Sequence, residues 1–422
     1  MRKIPESLFA RLVRIGLMDM VTSPPVTAKA DYFAGLQAAL RAAGIGWPVL
    51  VLDYERLCAN ARRLRALVGA SQRLRLVEKS LPVPRLLDTT MELTGTNALM
   101  VFHASQLRQT AMAFPGADLL LGKPLPVAAA RHFYLHRRGH GLIPERQLQW
   151  LVDTPQRLCE YAALAEELGT TLRISIEIDI GLHRGGVEDS TTMQAMLDIV
   201  RAQSRHLRLA GLMGYDAHLG KLPTWVQSRD RGFVLATAVY RSFQAQLCEA
   251  FPALALQACW NGAGSPTIAL HGRGDSPLND VSAGSLLLKP ADFDLPLLAD
   301  FGPALFIATP VLKSRLGSRL PGPDWFSRLL SGGRSRTRRS YFIYGGGWPA
   351  RPVWPPGLRA PALYGVSYNQ ALLVGPSQPA LQVDDWVFLR PHQSEGTLLQ
   401  FGPIYVYAQR RIVECWEPFA EG

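Results

Sequence analysis

The chain has 422 residues, 48% of them hydrophobic and 19% charged, with mean hydropathy near zero. That balance is globular and excludes disordered and fibrous classes; the length suits two or three domains, or one large barrel with a smaller partner. No run of about 18 uncharged apolar residues occurs, and charged residues from Arg2 to Asp19 interrupt the apolar positions of the N-terminus. The expectation is a cytoplasmic protein with neither a membrane span nor a secretory leader. The net charge is +11, yet the arginines are spread along the chain and only Arg334–Arg339 forms a cluster. No nucleic-acid-binding signature accompanies it, so nucleic acid is not expected as a partner. The five cysteines are odd in number and never spaced Cys-x-x-Cys, which argues against a disulfide framework or a cysteine-rich zinc site and suggests mostly buried thiols.

In chain order, Pro48–Asp53 reads as a strand and Tyr54–Val68 as a helix. From residue 72 a short apolar run, a turn and an amphipathic stretch alternate eight times. The runs are Leu74–Glu78, Ala98–Phe102, Asp118–Gly122, Leu148–Val152, Leu172–Asp179, Leu207–Tyr215, Leu256–Trp260 and Val281–Leu288. Thr154 and Ser190 stand where helix caps belong. The spacing predicts an α/β fold, a (β/α)8 TIM-type barrel over 54–295, with an open doubly wound sheet as the alternative. Residues 296–422 are rich in proline and aromatic side chains and carry short β-like runs, so they predict a mainly antiparallel β domain. Residues 1–53 form an N-terminal segment that partly joins it, and 316–339 read as a basic loop.

Barrels place chemistry at the C-terminal ends of their strands. The first strand ends in Glu78-Lys79-Ser80, and one of only seven lysines, leaving an apolar run at a strand end, suits Schiff-base formation with a carbonyl. The bland alternative is a rim lysine paired with Glu78. The fifth strand runs into Glu177–Val187, where carboxylates, His183 and Arg184 surround glycines. The sixth ends in Gly214-Tyr215-Asp216-Ala217-His218. The seventh runs into Asn261-Gly262-Ala263-Gly264-Ser265-Pro266-Thr267, whose glycines allow close approach of an anion and whose hydroxyls can donate to it. A lysine after strand one and a phosphate cradle after strand seven together suggest pyridoxal phosphate, an aldehyde that carries a phosphate.

Over Trp47–Gly422 the chain resembles the D-threonine aldolase and D-serine dehydratase-like family, on the alanine racemase-type barrel of fold type III pyridoxal phosphate enzymes. The resemblance lies in Leu74–Ser80, Glu177–Arg184 with Gly186-Val187, Gly211–His218 and Asn261–Ser265. It implies that Lys79 carries the cofactor and moves the Cα proton, that Arg184 lies beside the cofactor, and that Tyr215 and His218 line the pocket. By the same likeness Asn261, Gly262, Ala263, Gly264 and Ser265 belong to the phosphate loop. The implied activity is a lyase on a D-3-hydroxy amino acid, by retro-aldol cleavage or dehydration, in a homodimer. An amino-acid racemase on the same scaffold is the alternative, with Tyr341, Tyr344 and Tyr368 as candidate second bases; a non-catalytic cofactor-binding protein is another.

The likeness has gaps. Relatives often continue the lysine strand Lys-Thr-His, whereas this chain reads Lys79-Ser80-Leu81-Pro82, and Asn279–Leu286 lacks the aromatic expected after strand eight. Relatives also carry a histidine and a Cys or Asp near the C-terminus that bind a divalent ion. Aligning Pro391 and Thr397 puts Gln393 and Glu395 at those positions. Glu395, helped by His392, is therefore the candidate ligand for Mg²⁺ or Mn²⁺ rather than Zn²⁺, since oxygen donors favour hard cations. Without a metal, Glu395 or His392 would act directly as acid–base at the hydroxyl.

Overall fold

The computed structural model describes residues 26–136, 141–220, 225, 227–317, 338–361, 367–378 and 380–419. Residues 1–25 and most of the Arg-rich segment 316–339 lie outside these. Packing divides the chain into two compact units. One comprises the described residues of Met1–Tyr54, Leu305–Pro391 and Pro403–Trp416; the other comprises those of Glu55–Ala304, His392–Gly402 and Glu417–Gly422. The short insert His392–Gly402, which carries Glu395, thus returns to the barrel unit between strands of the other.

Strand β1 (Val49–Asp53) belongs to the first unit. The second is a closed barrel of β2 (Arg73–Val77), β3 (Ala98–Val101), β4 (Asp118–Leu121), β5 (Leu148–Val152), β6 (Leu172–Ile178), β7 (Leu207–Gly214), β8 (Cys259–Gly262) and β9 (Asp280–Ala283). All eight pair in parallel, and β9 closes on β2 from Arg73↔Asp280 to Leu76↔Ala283. The strands are near-continuously buried because helices cover their outer side, which explains apolar runs rather than alternation. The helices start where polar caps allow. Thr154 accepts the Arg157 N–H, as expected, whereas Asp189 rather than Ser190 caps Ser190–Ala202 by accepting the Thr192 N–H.

The first unit holds the helix Val26–Ala42, β1, and β10 (Leu305–Leu316), β11 (Arg338–Tyr344), β12 (Ala350–Trp354), β13 (Gln370–Pro376), β14 (Trp386–Pro391), β15 (Ile404–Ala408) and β16 (Arg411–Trp416). Their sheet runs β12-β14-β10-β1-β15-β16, with β11 bridging β10 and β13; only β1–β15 is parallel. Its core packs Phe33 and Leu36 of the helix on Phe306, Trp386 and Phe388. Further sequence expectations change, and the strand expected over Val281–Leu288 ends at Ala283. Strand β8 begins at Cys259, three residues later than expected, because Leu256 is exposed; Asn261 and Gly262 are therefore strand residues, not loop. The cysteines are not buried thiols: Cys159 and Cys415 are exposed and the other three half-buried.

The barrel's interior holds a polar belt instead of a wholly apolar core. Arg75, fully buried, donates from Nε and Nη2 to both Asp280 oxygens at 2.8 Å, and from Nη1 to the Leu99 and Asp118 carbonyls. Its Nη2 also lies 2.9 Å from Asp118 Oδ1. Asn261 Nδ2 donates to Asp280 Oδ1 at 2.6 Å and to Ser282 Oγ at 2.9 Å. One guanidinium thereby fastens β2 to β3, β4 and β9. Arg75→Met strands Asp280 as an uncompensated buried charge and should cost about 3–5 kcal/mol in urea unfolding. Adding Asp280→Asn should recover part of that loss.

Candidate active site

At the C-terminal mouth of the barrel the chain leaves β2 through a single 3-10 turn, Glu78–Ser80. That turn presents Lys79 to a cavity of about 180 Å3, and its Nζ lies 3.2 Å from Glu395 Oε2. The short helix Ser394–Leu398, which bears Glu395, lies against the same turn. Lys79 Nζ also sits 4.4 Å over the Phe102 ring. Gly122 makes room for that ring, because a Cβ there would come within 2.3 Å of it. Glu395, not Glu78, is thus the lysine's partner.

Across the same cavity stands the loop after β8. Ala263 holds a φ of 63°, and the Gly264 and Ser265 N–H groups have no backbone acceptor among the described residues. A Cβ on Gly264 would come 2.7 Å from the Tyr215 ring. The Ser265 hydroxyl accepts the Gly284 and Leu286 N–H groups, tying the loop to the turn after β9. Asn261 Oδ1 is buried, faces no hydrogen-bond partner among the described residues, and belongs to a cavity-lining side chain. Thr267 does not serve as a free donor. Its hydroxyl is committed to Asp216 at 2.6 Å, and Asp216 is in turn held by His271 Nε2 at 2.7 Å.

The loop after β6 is organised by Asp179, which accepts the Gly181 and His183 N–H groups and the His183 ring. Burial pushes the Asp179 carboxyl up, but these bonds outweigh it and hold it below the usual range. A Cβ on Gly186 would fall 2.6 Å from Ile178, so only glycine permits this return of the chain. The loop sets Arg184 over the Tyr215 ring, 5.0 Å from its centroid. Burial pushes the Tyr215 phenol up. A second cavity of about 320 Å3 shares Lys79, Phe102, Arg184 and Glu395 with the first and adds His103, Lys123, Asp153 and Glu177. Burial, then Asp153, pushes Glu177 up to about 7.

Lys79, Arg184, Tyr215, Asn261, Gly262, Ala263, Gly264, Ser265 and Glu395 are therefore gathered around one cavity. His218 is not among its lining residues; it is half-buried in Ala217–Gly220, its Nδ1 without a partner among the described residues. His392 turns to Asp292, with Nδ1 3.1 Å from Oδ1, and Gln393 donates to the same carboxylate at 2.6 Å. Glu395 and His392 thus have separate partners, and among the described residues no three His, Cys, Asp or Glu side chains gather as a metal site. Tyr341 is buried and donates to the Pro376 carbonyl, while Tyr344 and Tyr368 are exposed. Phe102, His103, Lys123 and Asp153 were not singled out from the sequence; their position just past strand ends was the available signal.

A lysine leaving the first strand of a closed parallel barrel, opposite a glycine loop leaving the seventh, defines the class of fold type III pyridoxal phosphate enzymes. The chain belongs to the alanine racemase N-terminal domain family, whose model matches residues 52–291, more than half of its length. No curated protein sequence matches the chain. Among solved structures it is similar to D-threonine aldolase from Filomicrobium marinum, with TM-score 0.65 and 20% identity over 88% of this chain and 96% of that one. It is also similar to D-threo-3-hydroxyaspartate dehydratase from Delftia sp. HT23, with TM-score 0.66 and 19% identity over 89% and 98%. Alanine racemase from Bacillus anthracis gives TM-score 0.65 and 15% identity over 88% and 98%. These likenesses establish the fold. No helix among the described residues is long and apolar enough to cross a membrane.

Beside Lys79, Glu78 is buried with both oxygens lacking a partner among the described residues. Burial first, and then the Glu395 carboxylate, push it from 4.5 up to about 8. The folded state therefore keeps a proton that the unfolded chain releases, and this contribution to stability, full below pH 4.5, is lost as pH rises towards 8. Glu78→Gln should leave stability near pH 4.5 almost unchanged and raise it by of order 3 kcal/mol at pH 8, measured by urea unfolding at both pH values.

Proposed function

We propose that the protein is a pyridoxal phosphate-dependent lyase acting on a D-3-hydroxy amino acid. The observation that carries this reading is that Lys79 and Glu395, 3.2 Å apart, face the Gly264–Ser265 loop across one cavity. The residues present fit the cofactor: a lysine amine for its aldehyde, backbone N–H groups with no backbone acceptor among the described residues on a loop that a Cβ at Gly264 would crowd, and Arg184 and Tyr215 at its side. When bound, pyridoxal phosphate draws electrons from the amino acid's Cα.

Lys79 has two tasks in this reading. It would hold the cofactor through its amine, and its nitrogen would take or return the substrate's Cα proton. Glu395 takes the proton of the 3-hydroxyl for carbon–carbon cleavage, or donates one to the departing hydroxyl for dehydration. Among the described residues no three His, Cys, Asp or Glu side chains gather as a metal site; Gln393 and the His392 ring bond Asp292, and Glu395 pairs with Lys79. Glu395, beside the cofactor lysine, carries the acid–base role alone. The aldolase and dehydratase neighbours support this reaction class. A racemase is the second reading, favoured by the equal likeness to alanine racemase, and it would need a base on the opposite face of the cofactor. The same reading expects a homodimer.

The holoprotein incubated with D-serine, D-threonine, 3-hydroxy-D-aspartate and D-alanine should yield glycine plus aldehyde, or a 2-oxo acid plus ammonia, from a hydroxylated substrate. Formation of L-alanine alone would establish the racemase instead. Borohydride reduction and peptide mapping should place the pyridoxyl group on Lys79, and Lys79→Ala should lower turnover by several orders of magnitude; label on Lys123 would refute the assignment. Glu395→Gln should lower kcat by about 10²–10⁴-fold with the cofactor's absorbance retained. Activity should survive EDTA, and restoration by Mg²⁺ or Mn²⁺ after chelation would return Glu395 to the role of metal ligand.

A further inference from the structure

The outer cavity bears on what the substrate carries beyond C3, an inference that rests on the reading above. Its charges are unevenly divided. At the β5–β6 side, Arg184 faces two acids, Asp153 and Glu177, which act on one another. At the β2–β4 side two lysines line the cavity: Lys79 is paired with Glu395, and Lys123 has no hydrogen bond or ion pair among the described residues. Lys123 stands exposed in Gly122-Lys123-Pro124, just past β4, where the cavity meets solvent. His103, from the end of β3, lines the same side. Burial, and then the Lys123 charge, lower its pKa, so at neutral pH it offers a ring nitrogen for hydrogen bonding without a second full charge.

We propose that Lys123, with His103, forms a subsite for an anionic group at the far end of the substrate side chain, so that the preferred substrates are acidic 3-hydroxy amino acids. The shared chemistry is a carboxylate or a phosphate-like oxyanion. About 320 Å3 of cavity beyond Lys79 gives such a group room. An ammonium at a partly exposed site contributes selectivity through charge more than through geometry, as a point charge with rotatable donors.

The test uses holoprotein and amino acids that lack a 3-hydroxyl, followed by the cofactor's visible absorbance. D-Aspartate should bind about five- to tenfold more tightly than D-asparagine, the gain expected for one exposed charged hydrogen bond. Lys123→Met should abolish that preference while leaving D-asparagine binding unchanged, and Lys123→Arg should keep most of it. Tighter binding of the phosphonate analogue 2-amino-3-phosphono-D-propionate than of D-aspartate assigns the subsite to a phosphate-like group, and the reverse assigns it to a carboxylate. Equal binding of D-aspartate and D-asparagine overturns the subsite while the proposed function stands. Equal weakening of both by Lys123→Met also overturns it, assigning Lys123 to the α-carboxylate. A holoprotein whose absorbance responds to none of these amino acids overturns the functional reading and the subsite together.

Discussion

The barrel mouth depends on one buried ion pair. Arg75 and Asp280 sit on the two strands whose pairing closes the barrel, and the guanidinium also reaches the carbonyls of Leu99 and Asp118. Every arm of the guanidinium is used, so little freedom remains in how β2 exits, and Lys79 lies four residues further on. Asp280 passes the constraint to Asn261 on β8, the strand that leads into the glycine loop. Breaking such a pair from one side is costly because the remaining charge has no water to turn to. The positions of the lysine and of the loop opposite it are therefore set by the same buried contact.

Above that belt, the mouth is tied together by side-chain hydrogen bonds. Ser265 joins the glycine loop to the turn after β9, Ser80 shares a hydrogen bond with Ser285, and Asp179 gathers its own loop so that Arg184 faces Tyr215. Asp216, seated between Thr267 and His271, fixes the far end of the glycine loop from beneath. Loops held in this way arrive at the ligand preorganised, and little ordering remains to be done on binding. Of the acids around Lys79, burial pushes Glu78 and Glu177 towards neutrality, and Glu395 meets the lysine directly.

The departure from the family pattern near the C-terminus has a physical consequence. A metal-binding pair needs two donors converging on one point, with their other hydrogen bonds arranged to orient them. Here Asp292 takes hydrogen bonds from Gln393 and the His392 ring, Lys79 pairs with Glu395, and Gln393 and Glu395 both line the cavity.

The sequence by itself determined the eight strand–helix units, Lys79 at the end of the first and the glycine loop at the end of the seventh. Apolar runs and their spacing are local signals, and a parallel barrel converts strand order directly into position around its mouth. It did not determine that β8 starts at Cys259, because Leu256 continues the apolar pattern but points to solvent. Nor did it pair Lys79 with Glu395, more than three hundred residues away, or commit Thr267 to Asp216. Glu78 was the natural partner for Lys79 by adjacency, yet successive residues in a tight turn point apart, so the neighbour was buried and the distant carboxylate met the amine. His103, Lys123 and Asp153 carry no motif. They become one cavity only when the ends of β3, β4 and β5 stand side by side, which the closed barrel decides.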